Sequence, residues 1–303
     1  MTLFGKKTKE IEDKFMEIKS FVKTIEKQKL NCEGIIVLKN GEKIAEHRWI
    51  PETPRNSFSI SKSFVSIAIG MAVEKGKLSL SDRVTDVFAD HIQKPGKQLM
   101  SLTLEHLLTM TRGHAEFSRP ATVSEALAQP LKHQPGTSFV YDNGSTFLAS
   151  AMFTKKTGIT VREFLLDNLF RPLGIPDPEW PESPDGYTIG ATGLVLTTSN
   201  LASFGQFLLQ RGKWKRKQLI SAEWIDSASR PHISTNSRRP DNDLGYGFCF
   251  WPCRYGAYRA DGKDGQFIVI LPRQNAVIAI NSNEPKHHPI LYAVWDTILP
   301  NFH

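Results

Sequence analysis

The sequence FSISKSFVSIAIGMAV, residues 58–73, decides how the rest of the chain is interpreted. After Ser63 its only clearly polar side chain is Ser66. A helix that is apolar on all sides is buried, and this run is too short to span a bilayer. Residues three apart share a helix face, so Ser59 and Lys62 are expected to meet in the first turn. The dipole and free N–H groups of a helix start favour an activated serine there.

The Ser-x-x-Lys pattern also occurs at residues 20–23, where it is interpreted as accidental. In that segment a stripe of apolar residues predicts a surface helix, and Ser20 and Lys23 fall on its solvent-exposed face. The pattern at residues 59–62 also has a purely structural interpretation. Ser59 would then be a helix N-cap and Lys62 a solvated residue, so the remaining segments must decide between the two.

Composition is that of an ordinary soluble globular protein. The 303 residues are 40% hydrophobic and 23% charged, and no apolar run is long enough for a membrane. The net charge of +7 would suit an anionic partner, but the basic residues are dispersed. The tightest cluster, residues 213–217, looks like a loop after a helix. A nucleic-acid partner, which needs a basic stripe along one element, is therefore not favoured.

The cysteines and histidines give no metal pattern. Cys249 and Cys253 would lie about 13 Å apart in an extended run, too far for a disulfide. Their spacing fits no zinc motif, and His287-His288 is interpreted as an exposed turn. Residues 1–29 lack the apolar core of a signal peptide. We therefore expect a cytoplasmic protein without disulfides, metal ion or cofactor, and leave the oligomeric state open.

Strand signals occur at both ends of the chain and helix signals fill the middle. A helix at about 8–28 precedes two extended runs, 34–39 and 42–49, joined by Asn-Gly, which is the strongest short hairpin signal. Further helices are predicted at 104–110, 124–128, from a capping box at residue 160, at 200–210, at 221–229 and at 289–299. Further strands are predicted at 246–251, 257–260, 266–271 and 276–282.

This order predicts an α+β fold. One antiparallel sheet is built from both chain ends and flanked by the terminal helices, with an all-helical lobe inserted between. Residues 1–303 would form one catalytic domain, with an α/β lobe at about 1–55 and 230–303 and a helical lobe at about 56–229. The cleft between the lobes is the expected place for a ligand.

Two other segments are candidates for a site in that cleft. Tyr141-Asp142-Asn143 follows a turn and precedes a helix that starts near Ser145, although it could be only a helix cap. Residues 262–266, GKDGQ, open an extended apolar run, and a glycine there permits close approach of a ligand. The alternative for this second segment is a plain hairpin turn.

Taken in order, Ser59-x-x-Lys62, Tyr141-x-Asn143 and Lys263-x-Gly265 resemble the three motifs of the serine β-lactamase and penicillin-recognising group. More specifically the chain resembles the class C branch, with its family VIII carboxylesterases, DD-peptidases and 6-aminohexanoate-dimer hydrolases. The resemblance covers most of the chain and implies the β-lactamase-like fold. It also includes the segments 102–113, 135–141, 172–174 and 193–194.

The resemblance implies a role for each motif residue. Ser59 would be acylated, with Lys62 and Tyr141 sharing the proton transfers as general base. No cofactor is needed. The backbone N–H groups of Ser59 and Gln266 would form the oxyanion hole. The implied substrate-binding residues are Asn143, Lys263, Asp264, Gly265 and Gln266.

Departures from the family pattern bear on the substrate. Asp264 stands where β-lactam-directed members usually carry Thr, and if it faces the cleft it would repel a substrate anion. Met110 and Arg112 replace a His and a Ser of the family. The favoured function is a serine hydrolase acting on a small ester, amide or lactam, with an ester or amide preferred. The alternatives are a β-lactamase or DD-peptidase, and a catalytically silent binding protein; the natural substrate is left open.

Overall fold

The structure, a computed structural model, describes residues 18–302. Its centre is a six-stranded antiparallel sheet with the spatial order β2-β1-β10-β9-β8-β7. The six strands are β1 (Cys32–Lys39), β2 (Glu42–Arg48), β7 (Trp251–Pro252), β8 (Tyr258–Asp261), β9 (Phe267–Leu271) and β10 (Ala276–Ser282). Two small pairs lie apart, β3 (Arg55–Asn56) with β4 (Val195–Leu196), and β5 (Lys213–Trp214) with β6 (Lys217–Gln218). Both chain ends build the sheet, which confirms the predicted α+β fold.

Helices are the main regular elements of the segment between β2 and β7. The helices are α1 (18–27), α2 (Ile60–Glu74), α3 (Val84–Val87), α4 (Lys97–Met100), α5 (Leu104–Leu108), α6 (Val123–Ala128), α7 (Asn143–Thr157), α8 (Val161–Leu165), α9 (Arg171–Leu173), α10 (Thr198–Leu209), α11 (Ala222–Ser229) and α12 (His288–Ala293). Helical turns at Leu166–Phe170 join α8 to α9, and Val294–Ile298 with Leu299–Asn301 extend α12. Short 3₁₀ turns lie at Ala89–His91, Arg254–Gly256 and Pro272–Gln274.

Local chemistry fixes several of these boundaries. Asn40 and Gly41 both have positive φ, as a tight turn between β1 and β2 requires. Gly76, also at positive φ, follows the end of α2. The capping box at Thr160 opens α8 as predicted. The helix predicted at 104–110 ends at Leu108 instead, because Met110 has a φ of 59°. The part of the predicted N-terminal helix before residue 18 lies outside the described residues.

The two faces of the sheet are covered by different helices. Apolar residues of α1 and of the C-terminal helix pack on one face. The opposite face is covered by α10, which the sequence assigns to the helical lobe. Gly205 permits this contact, since a Cβ on it would lie 2.4 Å from Val277 Cγ1. The helical lobe is therefore joined to the sheet through α10.

Helix α2 is buried from Ile60 to Ala72, as its apolar sequence predicts. Phe64 stacks on Phe204 of α10 with ring centroids 3.8 Å apart. On another side Gly70 lies against the Trp224 ring, so close that a Cβ would be 2.5 Å from it. These contacts hold α2 against α10 and α11, and with it Ser59 at its start.

The strand predicted at 246–251 is wrong, because only Trp251–Pro252 is paired in the sheet. Cys249 has a φ of 63°, and Gly247 N–H donates to Phe250 C=O at 2.9 Å, so the chain bends. Aromatic residues here pack around one another in three dimensions, which the pattern of apolar residues does not distinguish from a strand. Within residues 18–302 no helix is both long and apolar enough to cross a membrane.

Replacing Phe64 by alanine is expected to lower the free energy of unfolding by about 3–5 kcal/mol, because a buried aromatic ring is lost and leaves a cavity. Urea denaturation followed by tryptophan fluorescence measures this. Phe117→Ala is the matched control, since Phe117 is 49% exposed and its truncation should change stability by no more than about 0.5 kcal/mol. Equal losses in the two variants would contradict the central position of α2.

Candidate active site

The N-terminus of α2 presents Ser59 to a cavity. Ser59 is the N-cap of the helix and is partly exposed. Phe58, just before it, has a φ of 45°, a conformation that non-glycine residues rarely adopt. The N–H of Phe58 is held by Asn56 Oδ1 at 2.8 Å. Such local strain is concentrated at functional sites. Here the backbone conformation of Phe58 determines how the chain leads into α2 and where Ser59 is placed.

Lys62 lies beneath Ser59 and is 1% exposed. Its Nζ is 3.0 Å from Ser59 Oγ, 2.7 Å from Asn143 Oδ1 and 2.7 Å from the carbonyl oxygen of Ala191. Asn143 Oδ1 and the carbonyl can only accept. A neutral amine has two N–H donors for them and one lone pair left for the Ser59 hydroxyl proton. The geometry therefore suits an uncharged lysine that accepts a proton from the serine.

Burial lowers the pKa of Lys62 from its ordinary value of 10.5 to about 7, against the opposing charges of Asp142 and Asp261. Desolvation disfavours the ammonium form. A large fraction of Lys62 is therefore uncharged near neutral pH, which a general base requires.

Tyr141 lies on the other side of Lys62, whose Nζ is 5.1 Å from the centre of the tyrosine ring. Burial raises the pKa of Tyr141 far above its ordinary value, although a hydrogen bond with Ser59 opposes the shift. The ring is enclosed by Trp251, stacked at 5.8 Å, and by Tyr246 at 6.0 Å. Tyr141 thus keeps its proton and is suited to donate it.

Asp142 holds the two neighbouring motif residues in place. It is fully buried and caps α7 by accepting from Ser145 N–H at 2.9 Å. Its charge is paired with Arg112, whose Nε lies 2.9 Å from Asp142 Oδ2. Arg112 was singled out from the sequence only as a departure from the family pattern. In the structure it lies behind the site and fixes the loop that carries Tyr141.

Residues 262–266 form the turn between β8 and β9. This is the hairpin turn that the sequence offered as the alternative for this segment. Gly262 N–H donates to Gln266 C=O at 2.8 Å, and Gly265 has a φ of 87°. Gly262 approaches the segment just before Ser59, since a Cβ on it would lie 2.7 Å from the carbonyl oxygen of Ser57. Lys263 follows it and lines the cavity.

The other three residues of that segment are not among the cavity-lining residues. The Asp264 carbonyl accepts from Ser282 Oγ at 2.6 Å and from Glu284 N–H at 2.9 Å. Gly265 packs against Ser282, and the buried Gln266 donates its Nε2 to Ser282 C=O at 2.6 Å. The carboxylate at the cavity is Asp261, three residues earlier. Asp264 therefore does not line the cavity in which a substrate anion would bind.

The cavity has a volume of about 720 Å³. It is lined by Asn56, Phe58, Ser59, Phe117, Arg119, Tyr141, Asn143, Thr192, Arg239, Asn242, Trp251, Asp261, Gly262, Lys263, His287 and His288. It thus contains Ser59, Tyr141, Asn143 and Lys263 of the predicted site, with Lys62 in contact from below.

Several cavity residues were missed from the sequence. Asp261 is paired with Arg259 at 2.9 Å, and Arg259 is only 1% exposed. Arg259 Nη2 also donates to Asn242 Oδ1 at 2.7 Å. The signal in the sequence is an arginine within the predicted strand 257–260, whose other residues are apolar or aromatic, because a buried arginine needs a partner.

The prediction that His287-His288 is an exposed turn is also wrong. The two rings stack at 4.6 Å, are half-buried and line the cavity. Burial lowers the pKa of His288 to about 4, so it is neutral at ordinary pH. Among residues 18–302 no group of three or more His, Cys, Asp or Glu side chains could hold a metal ion. The three cysteines are free and buried.

Comparison with known proteins relates the chain to one family. The family model described as Beta-lactamase matches residues 10–298. A curated relative, the beta-lactamase of Yersinia enterocolitica, is 28% identical over 248 residues, covering 71% of this chain and 61% of the relative.

Solved structures share the fold. A putative beta-lactamase from Bacteroides dorei superimposes with a TM-score of 0.77 at 17% identity, covering 93% of this chain and 98% of that one. A putative 6-aminohexanoate-dimer hydrolase from Bacillus anthracis gives a TM-score of 0.72 at 18% identity, covering 90% and 79%.

The environment of Lys62 predicts its titration. The ¹³Cε resonance of Lys62 in lysine-labelled protein should shift with a midpoint at about pH 7, whereas ordinary lysines titrate near 10.4. The resonance is assigned by its disappearance in Lys62→Met. A midpoint above pH 9 for Lys62 would show that desolvation does not control its charge.

Proposed function

The chain belongs to the Beta-lactamase family, and on that premise we propose that it is a serine hydrolase that cleaves an ester or amide through an acyl-enzyme on Ser59. The observation that carries this proposal is the buried amine of Lys62 at 3.0 Å from Ser59 Oγ. A serine hydroxyl is a weak nucleophile unless an adjacent base takes its proton. Lys62 has both the contact and the lowered pKa for that role.

In the acylation step Lys62 accepts the proton of Ser59 as Oγ bonds to the substrate carbonyl carbon. The carbonyl oxygen becomes an oxyanion, which needs backbone donors close to the nucleophile. We assign the first donor to the N–H of Ser59 and the second to the backbone N–H of Lys263, since the N–H of Gly262 already donates to Gln266 C=O. Lys263 replaces Gln266 in this assignment, because Gly262 before it approaches Ser57 closely and Lys263 lines the cavity.

Tyr141 completes the proton transfers. Its hydroxyl is protonated and gives a proton to the leaving alcohol or amine as the bond to the acyl carbon breaks. The proton on Lys62 then restores the tyrosine. In deacylation a water attacks the acyl carbon, its proton passes to Lys62, and Ser59 Oγ leaves with a proton returned by the same pair. Atoms and charges balance over the cycle, and the net reaction is hydrolysis.

Asn143 is assigned to substrate binding. Its Oδ1 accepts from Lys62, so its Nδ2 amide group is left to donate to the carbonyl or amide of the acyl part. Asn143 would thus contact both Lys62 and the substrate and hold them in fixed positions relative to each other. Such positioning favours attack because the reacting atoms are held in one orientation.

A β-lactamase is the second candidate function. It is favoured by the likeness to the Yersinia enterocolitica beta-lactamase and by the position of Asp264 outside the cavity lining. Turnover of nitrocefin measured beside 4-nitrophenyl acetate separates the two candidates. A rate for nitrocefin that exceeds the ester rate, each corrected for spontaneous hydrolysis, would favour the lactam.

Ser59→Ala is expected to abolish turnover of 4-nitrophenyl acetate and labelling by a fluorophosphonate probe, because no acyl-enzyme can form. Folding should persist, since the Ser59 side chain makes no capping hydrogen bond and such a hydroxyl contributes at most about 1 kcal/mol. Ser20→Ala is the matched control, because Ser20 begins the second Ser-x-x-Lys pattern and is exposed on α1. Full activity in Ser59→Ala, or loss of activity in Ser20→Ala, would contradict the choice of nucleophile.

The pH profile tests the base. With a neutral ester, kcat/KM should fall about tenfold per pH unit below the pKa of Lys62, about 7, and level off above it, because only the uncharged amine accepts a proton. Lys62→Arg should lose as much activity as Lys62→Ala, since a guanidinium stays charged. A Lys62→Arg enzyme that kept activity would mean that the lysine supplies only positive charge.

A further inference from the structure

Arg259 is a buried arginine on β8 whose guanidinium contacts the cavity wall from behind. It is 1% exposed, and its Nε lies 2.9 Å from Asp261 Oδ2. The same guanidinium donates to Asn242 Oδ1 at 2.7 Å and to the carbonyl oxygen of Asp241 at 3.0 Å. Asp261 and Asn242 both line the cavity, whereas Arg259 does not. One buried side chain therefore orients two groups of the cavity wall.

The strands also place Arg259 close to Tyr141. Residues two apart on a strand share a face, so Arg259 and Asp261 lie on the same face of β8. Trp251 of β7 is paired directly with Arg259, and paired residues share a face as well. The guanidinium carbon lies 5.4 Å from the centre of the Trp251 ring, and Trp251 stacks on Tyr141 at 5.8 Å. Trp251 therefore contacts both the guanidinium and the tyrosine.

Asp261 is a negative charge that acts on both groups assigned to proton transfer. Burial lowers the pKa of Lys62 and raises that of Tyr141, and the charge of Asp261 raises both. The charge of Arg259 acts in the opposite direction on Tyr141. A nearby carboxylate favours the ammonium form of a lysine and disfavours the phenolate form of a tyrosine. Pairing with Arg259 therefore limits the effect of Asp261 on the two groups.

Four further groups face Lys62 or Tyr141 from other elements: Asp142, Cys249, Tyr246 and Arg119. Asp142 has its own buried partner, because Arg112 Nε lies 2.9 Å from its Oδ2. Burial raises the pKa of the Cys249 thiol to about 12 and that of Tyr246 well above its ordinary value, so both are neutral. Arg119 is exposed, so solvent and salt screen its charge. Asp261 is thus the charged neighbour that depends on Arg259.

We propose that Arg259 is a positioning residue for the reaction, which fixes and neutralises the Asp261 carboxylate and so keeps Lys62 uncharged at the pH at which it acts as the base. The inference rests on the proposed function, in which the uncharged amine accepts the serine proton. Without Arg259 the unpaired carboxylate would stabilise the ammonium form of Lys62. The rise of activity with pH would then occur at higher pH. Without Asp261 it would occur at lower pH.

The test is the pH dependence of kcat/KM for 4-nitrophenyl acetate, a neutral ester on which these charges do not act directly. We expect the midpoint to rise by about 0.5–1 pH unit in Arg259→Gln and to fall by a similar amount in Asp261→Asn. One unit charge at about 10–15 Å has an effect of this size when the effective dielectric is about 20 and solvent screens part of it. In Arg259→Gln/Asp261→Asn the midpoint should lie close to that of the wild type, because both charges are absent.

Control variants separate charge from packing. Arg259→Lys keeps the charge and should keep the midpoint, even where the plateau of kcat/KM falls. Arg211→Gln is the matched control, since it removes one positive charge from an exposed pair with Asp226 that does not line the cavity. It should leave the midpoint unchanged. A purely structural role of Arg259 would lower the plateau in Arg259→Gln without moving the midpoint, and that result would overturn the inference. If Arg259→Gln does not fold, Asp261→Asn decides alone, because its side chain is partly exposed and an unmoved midpoint there has the same meaning.

The ¹³Cε titration of Lys62 in lysine-labelled protein separates this inference from the chemistry. Its midpoint should move upwards in Arg259→Gln and downwards in Asp261→Asn, also when Ser59→Ala is added and no turnover occurs. Unmoved ¹³Cε midpoints would overturn the inference and leave the acyl-enzyme on Ser59 intact. Moved ¹³Cε midpoints with an unmoved midpoint of kcat/KM would confirm that Arg259 controls the charge of Lys62, and would overturn the proposed function, in which Lys62 is the base.

Discussion

The contact between a buried amine and a serine hydroxyl is the constraint on which the rest of this structure depends. Lys62 is removed from water by its position in the first turn of α2, and removal from water is what lowers its pKa. Lys62 can be buried in this way only if α2 has no solvent-exposed face, so protein must surround the helix on every side. Asn143 and the Ala191 carbonyl then supply the acceptors that a buried amine needs.

The layers of the fold follow from this requirement. The sheet, built from both chain ends, has one face covered by α1 and the C-terminal helix and the other by α10. Stacking of Phe64 on Phe204 connects α10 to α2. Helix α2 is thus held by the sheet on one side and by α7 on another. The cavity opens where the edge turn at Gly262 meets the start of α2.

Two buried arginines organise the polar groups behind the site. Arg112 pairs with Asp142, between Tyr141 and Asn143, and Arg259 pairs with Asp261 at the cavity wall. Burying a charged pair contributes little net stability, because the desolvation cost is of similar size to the attraction. These two ion pairs instead fix the orientation of the groups around the site. One pair fixes the loop that carries two site residues, and the other holds Asp261 at the cavity wall.

The sequence by itself determined the elements whose signals are local. The apolar run of α2, the Asn-Gly hairpin and the capping box at Thr160 each depend on neighbouring residues, so each could be predicted, and with them the contact of Ser59 with Lys62. Tertiary structure alone decided the bend at Cys249, the place of α10 on the sheet and the exchange of Asp264 for Asp261 at the cavity. These depend on strand register and on partners distant in sequence, such as Arg259 with Asn242. Asp261 lies at the cavity and Asp264 does not, because the pairing of β8 with β9 ends at Asp261 opposite Phe267, and strand register is not visible in the sequence.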